Sequence, residues 1–245
     1  MNKRPFVVCR MLTSLDGKID GDFFKVPAVE AAQKAYGDLR AVYDCQATVY
    51  GTTTMLGGYA DGVAPELEND GSVLSVSDHV DATGKAVGNF IVAIDPTGIL
   101  AYSGPTLAKK GRAAAHVIEV LTEQVSPAYT AYLRERGISY LFCGKDQLNM
   151  TLLLEKLAQL FDITRVMVAG GGVLNASFLQ EDCIDILSLV LAPLVDGSTT
   201  TVSIVEHADF LPQKQPVSFA LKEARPLKGG VLWLQYEAPR EERQA

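Results

Sequence analysis

An α/β fold is what the sequence predicts: a central, mostly parallel sheet flanked by helices, with antiparallel C-terminal strands. Three observations predict it. Apolar runs of strand length alternate with segments whose apolar residues recur three and four apart over about ten to fourteen residues, which implies right-handed βαβ units. Glycine-bearing turns follow three of the runs, at residues 14–21, 51–54 and 170–172, and in a parallel sheet the strand C-termini share one edge, where ligands bind. The last two runs, 217–223 and 230–236, have only short turns around them and read as an antiparallel pair at the sheet edge.

Each element has its own local justification. Residues 6–12 are apolar, β-branched and aromatic, and form a central strand. The polar turn that follows, 13–21, sets two glycines among two carboxylates and a lysine. Helical spacing then covers 29–42, ending near Tyr43. A second strand at 47–50 runs into Gly51-Thr52-Thr53-Thr54, where a threonine is expected to cap a new helix. The Gly-, Asp- and Ser-rich stretch 57–89 is long for a connection, so a short helix or a substrate-facing lid is expected within it.

A third strand, 90–94, closes on the turn Asp95-Pro96-Thr97-Gly98. The loop 103–112 holds the densest basic spot, Lys109-Lys110-Gly111-Arg112. Strand 116–121 follows, with His116 read as a solvated strand end, then helix 128–136 with Gly137 as its C-cap. Strand 138–143 and the amphipathic helix 148–161 come next, and a buried strand ends at Ala169. After Gly170-Gly171-Gly172 a helix runs to about Gln180, followed by strand 184–194 with Pro193 near its end. The charged tail, about 237–245, reads as flexible.

Composition narrows the function classes. The 245 residues are 48% hydrophobic, enough to bury one substantial core, and a single domain over 1–245 is expected. A formal net charge of -7 without a broad basic face argues against nucleic acid. The N-terminal Met-Asn-Lys-Arg-Pro is too short for a signal peptide, and no apolar run has membrane-spanning length, so a soluble, cytoplasmic protein is expected. Cys9, Cys45, Cys143 and Cys183 are far apart, three of them in apolar surroundings, as suits small buried hydrophobes. His79, His116 and His207 share no ligand spacing with each other or with a cysteine, and no metal is expected.

The glycine turns carry the chemistry. Glycine lets a backbone approach a ligand closely, and a helix start offers unpaired N–H groups and a positive dipole end to an anion. By themselves, Gly170-Gly171-Gly172 also read as a tight βα turn, Lys18 as a surface turn lysine and Asp16 as a turn-stabilising carboxylate. The first strand lacks the G-x-G-x-x-G that opens a Rossmann domain.

Ser14-Leu15-Asp16-Gly17-Lys18-Ile19, Gly51-Thr52-Thr53-Thr54, Gly170-Gly171-Gly172 with Leu174 and Phe178-Leu179, and the run from Asp185 through Pro193 to Gly197 occur in that order. Together, over about residues 6–198, they resemble the C-terminal reductase domain of the riboflavin-biosynthesis deaminase/reductases. The resemblance implies a dihydrofolate-reductase-like fold, NADPH as cofactor and a homodimer, with strand 187–194 as a plausible edge to bury between subunits. It implies the reaction of 5-amino-6-(5-phosphoribosylamino)uracil reductase, a hydride transfer to C1′ that opens the ribose to a ribityl chain. Gly51, Thr52, Thr53 and Thr54 would then hold cofactor phosphate and ribose groups, with Gly170, Gly171, Gly172 and Val173 meeting the pyrophosphate from the opposite side. Gly17 and Ile19 would lie against the nicotinamide, Asp16 and Lys18 would be catalytic, and Ser14 and Arg40 would meet the substrate.

Two positions depart from that family's pattern. Ala169 stands where members usually carry an acid, and Leu56-Gly57-Gly58-Tyr59 where they tend to have Asp-Asp-Pro. Both touch the substrate side, so two alternatives stand: a reductase of the same fold acting on another heterocycle or carbonyl, dihydrofolate included, and a non-catalytic nucleotide-binding protein. The spot at Lys109, Lys110 and Arg112 reads either as a partner for the 2′-phosphate of NADPH or as a solvated basic loop.

Overall fold

The computed structural model describes residues 4–67, 71–109, 112–212 and 215–239. Lys110 and residues 240–245 of the charged tail lie outside them. In chain order the elements are β1 (Phe6–Thr13), α1 (Glu30–Asp38), β2 (Ala47–Gly51), α2 (Thr52–Leu56), β3 (Gly62–Val63), α3 (Ala82–Lys85), β4 (Phe90–Ile94), β5 (Leu100–Ala101) and β6 (Thr106–Leu107). They continue with β7 (Ala115–Leu121), α4 (Pro127–Glu135), β8 (Ser139–Phe142), α5 (Met150–Phe161), β9 (Arg165–Val168), α6 (Gly172–Gln180), β10 (Ile186–Leu191), β11 (Ala220–Pro226) and β12 (Leu232–Glu237). Among the described residues no helix is long and apolar enough to cross a membrane, and no group of three or more His, Cys, Asp or Glu side chains is placed to hold a metal ion.

The chain divides into two compact units: Gln46–Val166 makes up most of the first, and Phe6–Cys45 with Met167–Ala245 makes up the second. In the first unit β2, β4, β7 and β8 pair in parallel, and the short β6 runs antiparallel to β7. Every residue of β4 and β7 is buried, His116 and Glu119 of β7 included, as in strands covered on both faces. Caps fix the helices that follow: the Ser126 side chain accepts the N–H of Tyr129 at the head of α4, and Asn149 accepts that of Leu152 at the head of α5. Gly137, just past α4, has φ +64, the left-handed value expected of it.

His116 is not a solvated strand end. It is fully buried, with Nε2 2.7 Å from Ser139 Oγ. The short helix α3 supplies the cover: Gly84 packs so closely on the imidazole that a Cβ there would fall 2.1 Å from the ring. No strong periodic signal marks α3, because four residues make barely one turn.

In the second unit β1 and β10 are parallel, Val8 opposite Ile186 through Thr13 opposite Leu191. On its other side β10 pairs antiparallel with β12, and β12 with β11. The expected edge at 187–194 is therefore internal, because the closing strands fold back onto β10 rather than onto a different part of the sheet. β11 begins three residues later than expected: its limits follow the antiparallel register with β12 and a bulge between Leu221 and Glu223, not the apolar content of the run.

Alternation along β10 separates two faces. Ile186 and Val190 join Val8, Leu12, Val29, Ala32, Tyr43 and Trp233 in the core, while Leu187, Leu189 and Leu191 stay partly exposed. The α-helix expected over 29–42 is α-helical only over Glu30–Asp38 and tightens to a 3-10 turn over Leu39–Tyr43; Gly37 in its last turn weakens the α form. Arg10, Ser188, Gln235 and Glu223 face one another in register across β1, β10, β12 and β11, a polar row within the core. Arg10 is 1% exposed with its guanidinium 3.8 Å from the Tyr36 ring centre, Trp233 donates to Ser188, and the Tyr43 hydroxyl donates to Gln235.

Candidate active site

The turn after β1 is built from its own short side chains. Ser14 is buried; its hydroxyl donates to Asp16 Oδ1 at 2.5 Å and accepts the Lys18 N–H at 2.9 Å, while Gly17 adopts φ +81, where a Cβ would be strained. Asp16 then reaches a distant segment. Its Oδ1 accepts the N–H of Asp196 at 3.0 Å and its Oδ2 that of Gly197 at 2.9 Å. The Ser14 hydroxyl first, then the N–H groups of Gly197 and Asp196, hold the Asp16 carboxyl well below the usual carboxylate range. At neutral pH this group is an ionised acceptor.

Segment 194–206 continues as a strap along the turn. The N–H of Leu15 donates to Leu194 O, that of Ile19 to Val202 O and that of Ile204 to Gly17 O. Lys18 Nζ donates to Thr201 O at 3.0 Å and to Ser203 Oγ at 3.1 Å. An ammonium has three N–H donors, so one is left for a ligand.

The same strap packs against the glycine turn. Glu206 donates its N–H to Gly172 O and accepts the Ser203 N–H through Oε1 at 2.6 Å, and Asn175 Nδ2 donates to Ile204 O at 2.7 Å. The three glycines have different tasks. A Cβ at Gly170 would meet the Leu174 side chain at 2.2 Å; one at Gly172 would meet Ser203 O and Glu206 Cγ at 2.5 Å; one at Gly171 would meet nothing within 4 Å. Gly171 alone is open toward a ligand, and it is the N-cap of α6. Among the described residues no acceptor is found for the N–H groups of Gly172, Val173 and Leu174, the donors a helix start leaves over.

Gly51, Thr52, Thr53 and Thr54 lie in the first unit, at the head of the single-turn α2. No threonine caps it. Gly51 is the N-cap, and Thr52 Oγ1 donates to Ile94 O at 2.7 Å instead. The reason is that β2 stays paired to β4 through Gly51, so the helix starts at the very next residue and its hydroxyl turns to the neighbouring strand.

Thus Ser14, Asp16, Gly17, Lys18 and Ile19 are drawn together with the strap, and the strap with Gly172. Arg40 sits on the 3-10 turn after α1, with Nη1 3.5 Å from Met167 Sδ. Ala169 packs against the apolar core of the second unit. Ser203, Glu206 and Asn175 were given no role from the sequence, and Gly197 was named only as the end of a motif. Asn175 carried the one usable signal, an amide set between Leu174 and Ala176; the strap has no periodicity to find.

Substitution separates the glycines. Gly172→Ala is expected to lower stability by about 1–3 kcal/mol through overpacking against the strap, whereas Gly171→Ala, at φ -71 with open space, is expected to stay within about 0.5 kcal/mol of the parent; urea titrations measure both. Equal losses would contradict this division. The Asp16 contacts predict a pH signature. A carboxyl depressed in the folded state contributes stability above its unfolded value, about 3.9, and loses that contribution as pH falls through the folded value. The stability gap between the parent and Asp16→Asn is therefore expected to be constant above about pH 5 and to narrow as pH falls below about 4; a gap independent of pH would remove the clamp.

The chain is 27% identical over 230 residues, 91% of this chain and 94% of the relative, to the 2,5-diamino-6-ribosylamino-4(3H)-pyrimidinone 5′-phosphate reductase of Methanothermobacter thermautotrophicus. Among solved structures, Acinetobacter baumannii RibD matches with a TM-score of 0.63 at 21% identity, covering 96% of this chain. The chain spans 58% of the length of that protein. The riboflavin biosynthesis reductase Rib7 of Saccharomyces cerevisiae matches with a TM-score of 0.62 at 17% identity, over 96% of this chain and 90% of its own. These likenesses establish the mixed α/β fold of dihydrofolate-reductase type. The RibD C-terminal domain model matches residues 5–233, and the chain belongs to that family.

Proposed function

We propose that the chain is an NADPH-dependent reductase of riboflavin biosynthesis, acting on a phosphoribosylamino-pyrimidine. The observation that carries this reading is the open turn at Gly171, where unpaired N–H groups head a nine-residue helix in a member of a family with reductase relatives. Those groups suit a pyrophosphate. NADPH, when bound, supplies the hydride that C1′ accepts.

The protein's own part is to hold the reactants and to move a proton. Gly171, Gly172 and Val173 offer N–H groups to phosphate oxygens; in the first unit the N–H groups of Thr52, Thr53 and Thr54 and the hydroxyls of Thr53 and Thr54 are the proposed donors to cofactor phosphate and ribose, the Thr52 hydroxyl being given to Ile94. Ile19 gives the neutral nicotinamide ring an apolar surface. As hydride reaches C1′, the bond from C1′ to the ring oxygen breaks and that oxygen gains a proton to become the C4′ hydroxyl. Lys18, with one N–H unused, is the donor. Asp16 is ionised and fully engaged, so it contributes by positioning the turn that carries Lys18, and Ser14 by closing that turn. Arg40 meets the substrate phosphate.

Thermal-shift measurements with NADPH, NADH and FMN, followed by NADPH oxidation, test this reading. The two substrates to offer are the 2,5-diamino-pyrimidinone named for the archaeal relative and its uracil counterpart. Stabilisation by NADPH and turnover of one of them are expected, with Lys18→Met lowering kcat by about 100-fold or more. No stabilisation by either nicotinamide nucleotide would defeat the proposal. Binding without turnover would leave another heterocycle or carbonyl, or a nucleotide-binding role without catalysis.

A homodimer belongs to the same proposal, with its contact moved from the edge of β10 to its outer face. Leu187, Leu189 and Leu191, beside Leu232 and Leu234 of β12, form a partly exposed apolar surface there. Light scattering at micromolar concentration is expected to give twice the chain mass, and Leu189→Glu to give the chain mass alone; a parent of single-chain mass would overturn it.

A further inference from the structure

The turn that closes α2 gathers two cations on a pair of tyrosines, all within the first unit. Tyr50, on β2, is buried; Tyr59, just past Gly57-Gly58, stacks on it with ring centres 4.6 Å apart and its hydroxyl 3.0 Å from that of Tyr50. Arg112 Nη1 donates to both phenol oxygens, at 3.1 Å to Tyr50 and 2.8 Å to Tyr59. Lys109 Nζ lies 4.6 Å from the centre of the Tyr59 ring. Gly58 adopts φ +151, a value glycine takes freely, and lies beside the ammonium, which a Cβ there would meet in ordinary contact at 3.5 Å.

The charge of this cluster is unbalanced. Among the described residues neither Lys109 nor Arg112 forms an ion pair with a carboxylate, although the whole chain carries a formal net charge of -7. The phenols do not neutralise it, since burial pushes Tyr59 up to about 12 and its hydroxyl stays protonated. Both cations are exposed, so their other donors face solvent. With Nη1 committed to the tyrosines, Arg112 keeps Nε and Nη2, a spacing suited to two oxygens of one tetrahedral anion, and Lys109 adds a point charge beside it. Two cations gathered on an aromatic base, with no carboxylate paired to them among the described residues, suit an anion.

We infer that Lys109 and Arg112, positioned by the Tyr59 ring and hydroxyl, form a binding site for a phosphate monoester carried on ribose. This inference rests on the reductase reading for its two sources, the 2′-phosphate of the cofactor and the 5′-phosphate of the substrate. Calorimetric titration with 2′-AMP and with ribose 5-phosphate, against adenosine and ribose as controls, tests it on the parent, Arg112→Gln and Lys109→Gln. Both substitutions are at exposed positions, and unchanged melting temperatures confirm that the fold is intact.

Saturable binding of at least one monoester is expected, weakened about tenfold by each substitution, the loss of one charge-assisted contact. A response confined to 2′-AMP, with preference for NADPH over NADH falling by a similar factor, assigns the cofactor. A response confined to ribose 5-phosphate, with a raised substrate KM and an unchanged KM for NADPH, assigns the substrate. A parent that binds neither monoester better than its unphosphorylated control, or variants that bind as the parent does, would overturn the site even where NADPH is oxidised. Binding that responds to the substitutions in a chain that never oxidises NADPH keeps the site and removes the reductase.

Discussion

The second unit's site depends on one carboxylate. The turn after β1 and the strap 194–206 have almost no regular secondary structure; among the described residues one antiparallel bridge, Lys18 opposite Ser203, is all the ladder that joins them. Asp16 supplies what is missing, accepting a hydroxyl from its own turn and two backbone N–H groups from the strap. The strap then reaches Lys18 on one side and the glycine turn on the other. An anion at Asp16 thus positions a cation at Lys18 and an open helix start at Gly171, and the three cannot be altered independently. A side chain that reads as a turn former and one that reads as catalytic are, here, the same residue.

The glycines show a related economy. Three in a row suggested a ligand cradle, yet two of them are needed by the protein itself, Gly170 by Leu174 and Gly172 by the strap. Only Gly171 faces outward. The distinction is one of packing, and for Gly172 the packing depends on residues about thirty positions away that share no pattern with the turn.

Much of the architecture was nonetheless legible. The strands of the first unit are almost wholly apolar and stand out by composition, and α4 and α5 declare their ends through Ser126, Gly137 and Asn149. The site was legible as motifs: Ser14 to Ile19, Gly51 to Thr54 and Gly170 to Val173 are all short, local signals. What escaped was everything set by partners distant in sequence. His116 is buried because a four-residue helix covers it, β10 is internal because β12 returns to it, and the strap lies where it does because of Asp16. The resemblance to a reductase family named these residues without indicating which serve the fold.

The pairing of β1 with β10 has a consequence in time. Val7 donates its N–H to Asp185 across 178 residues, and between them lies nearly all of the first unit. A strand whose parallel neighbour is so distant bears a heavy loop-closure penalty unless the intervening chain has already condensed. During synthesis, the segment that makes up most of the first unit is complete before β10 exists, so it is free to collapse first and bring the ends of the second unit within reach. Until then β1 is an apolar ribbon with an unsatisfied edge, the segment of this chain most exposed to wrong partners. The order of assembly is thereby written into the interruption of one unit by the other.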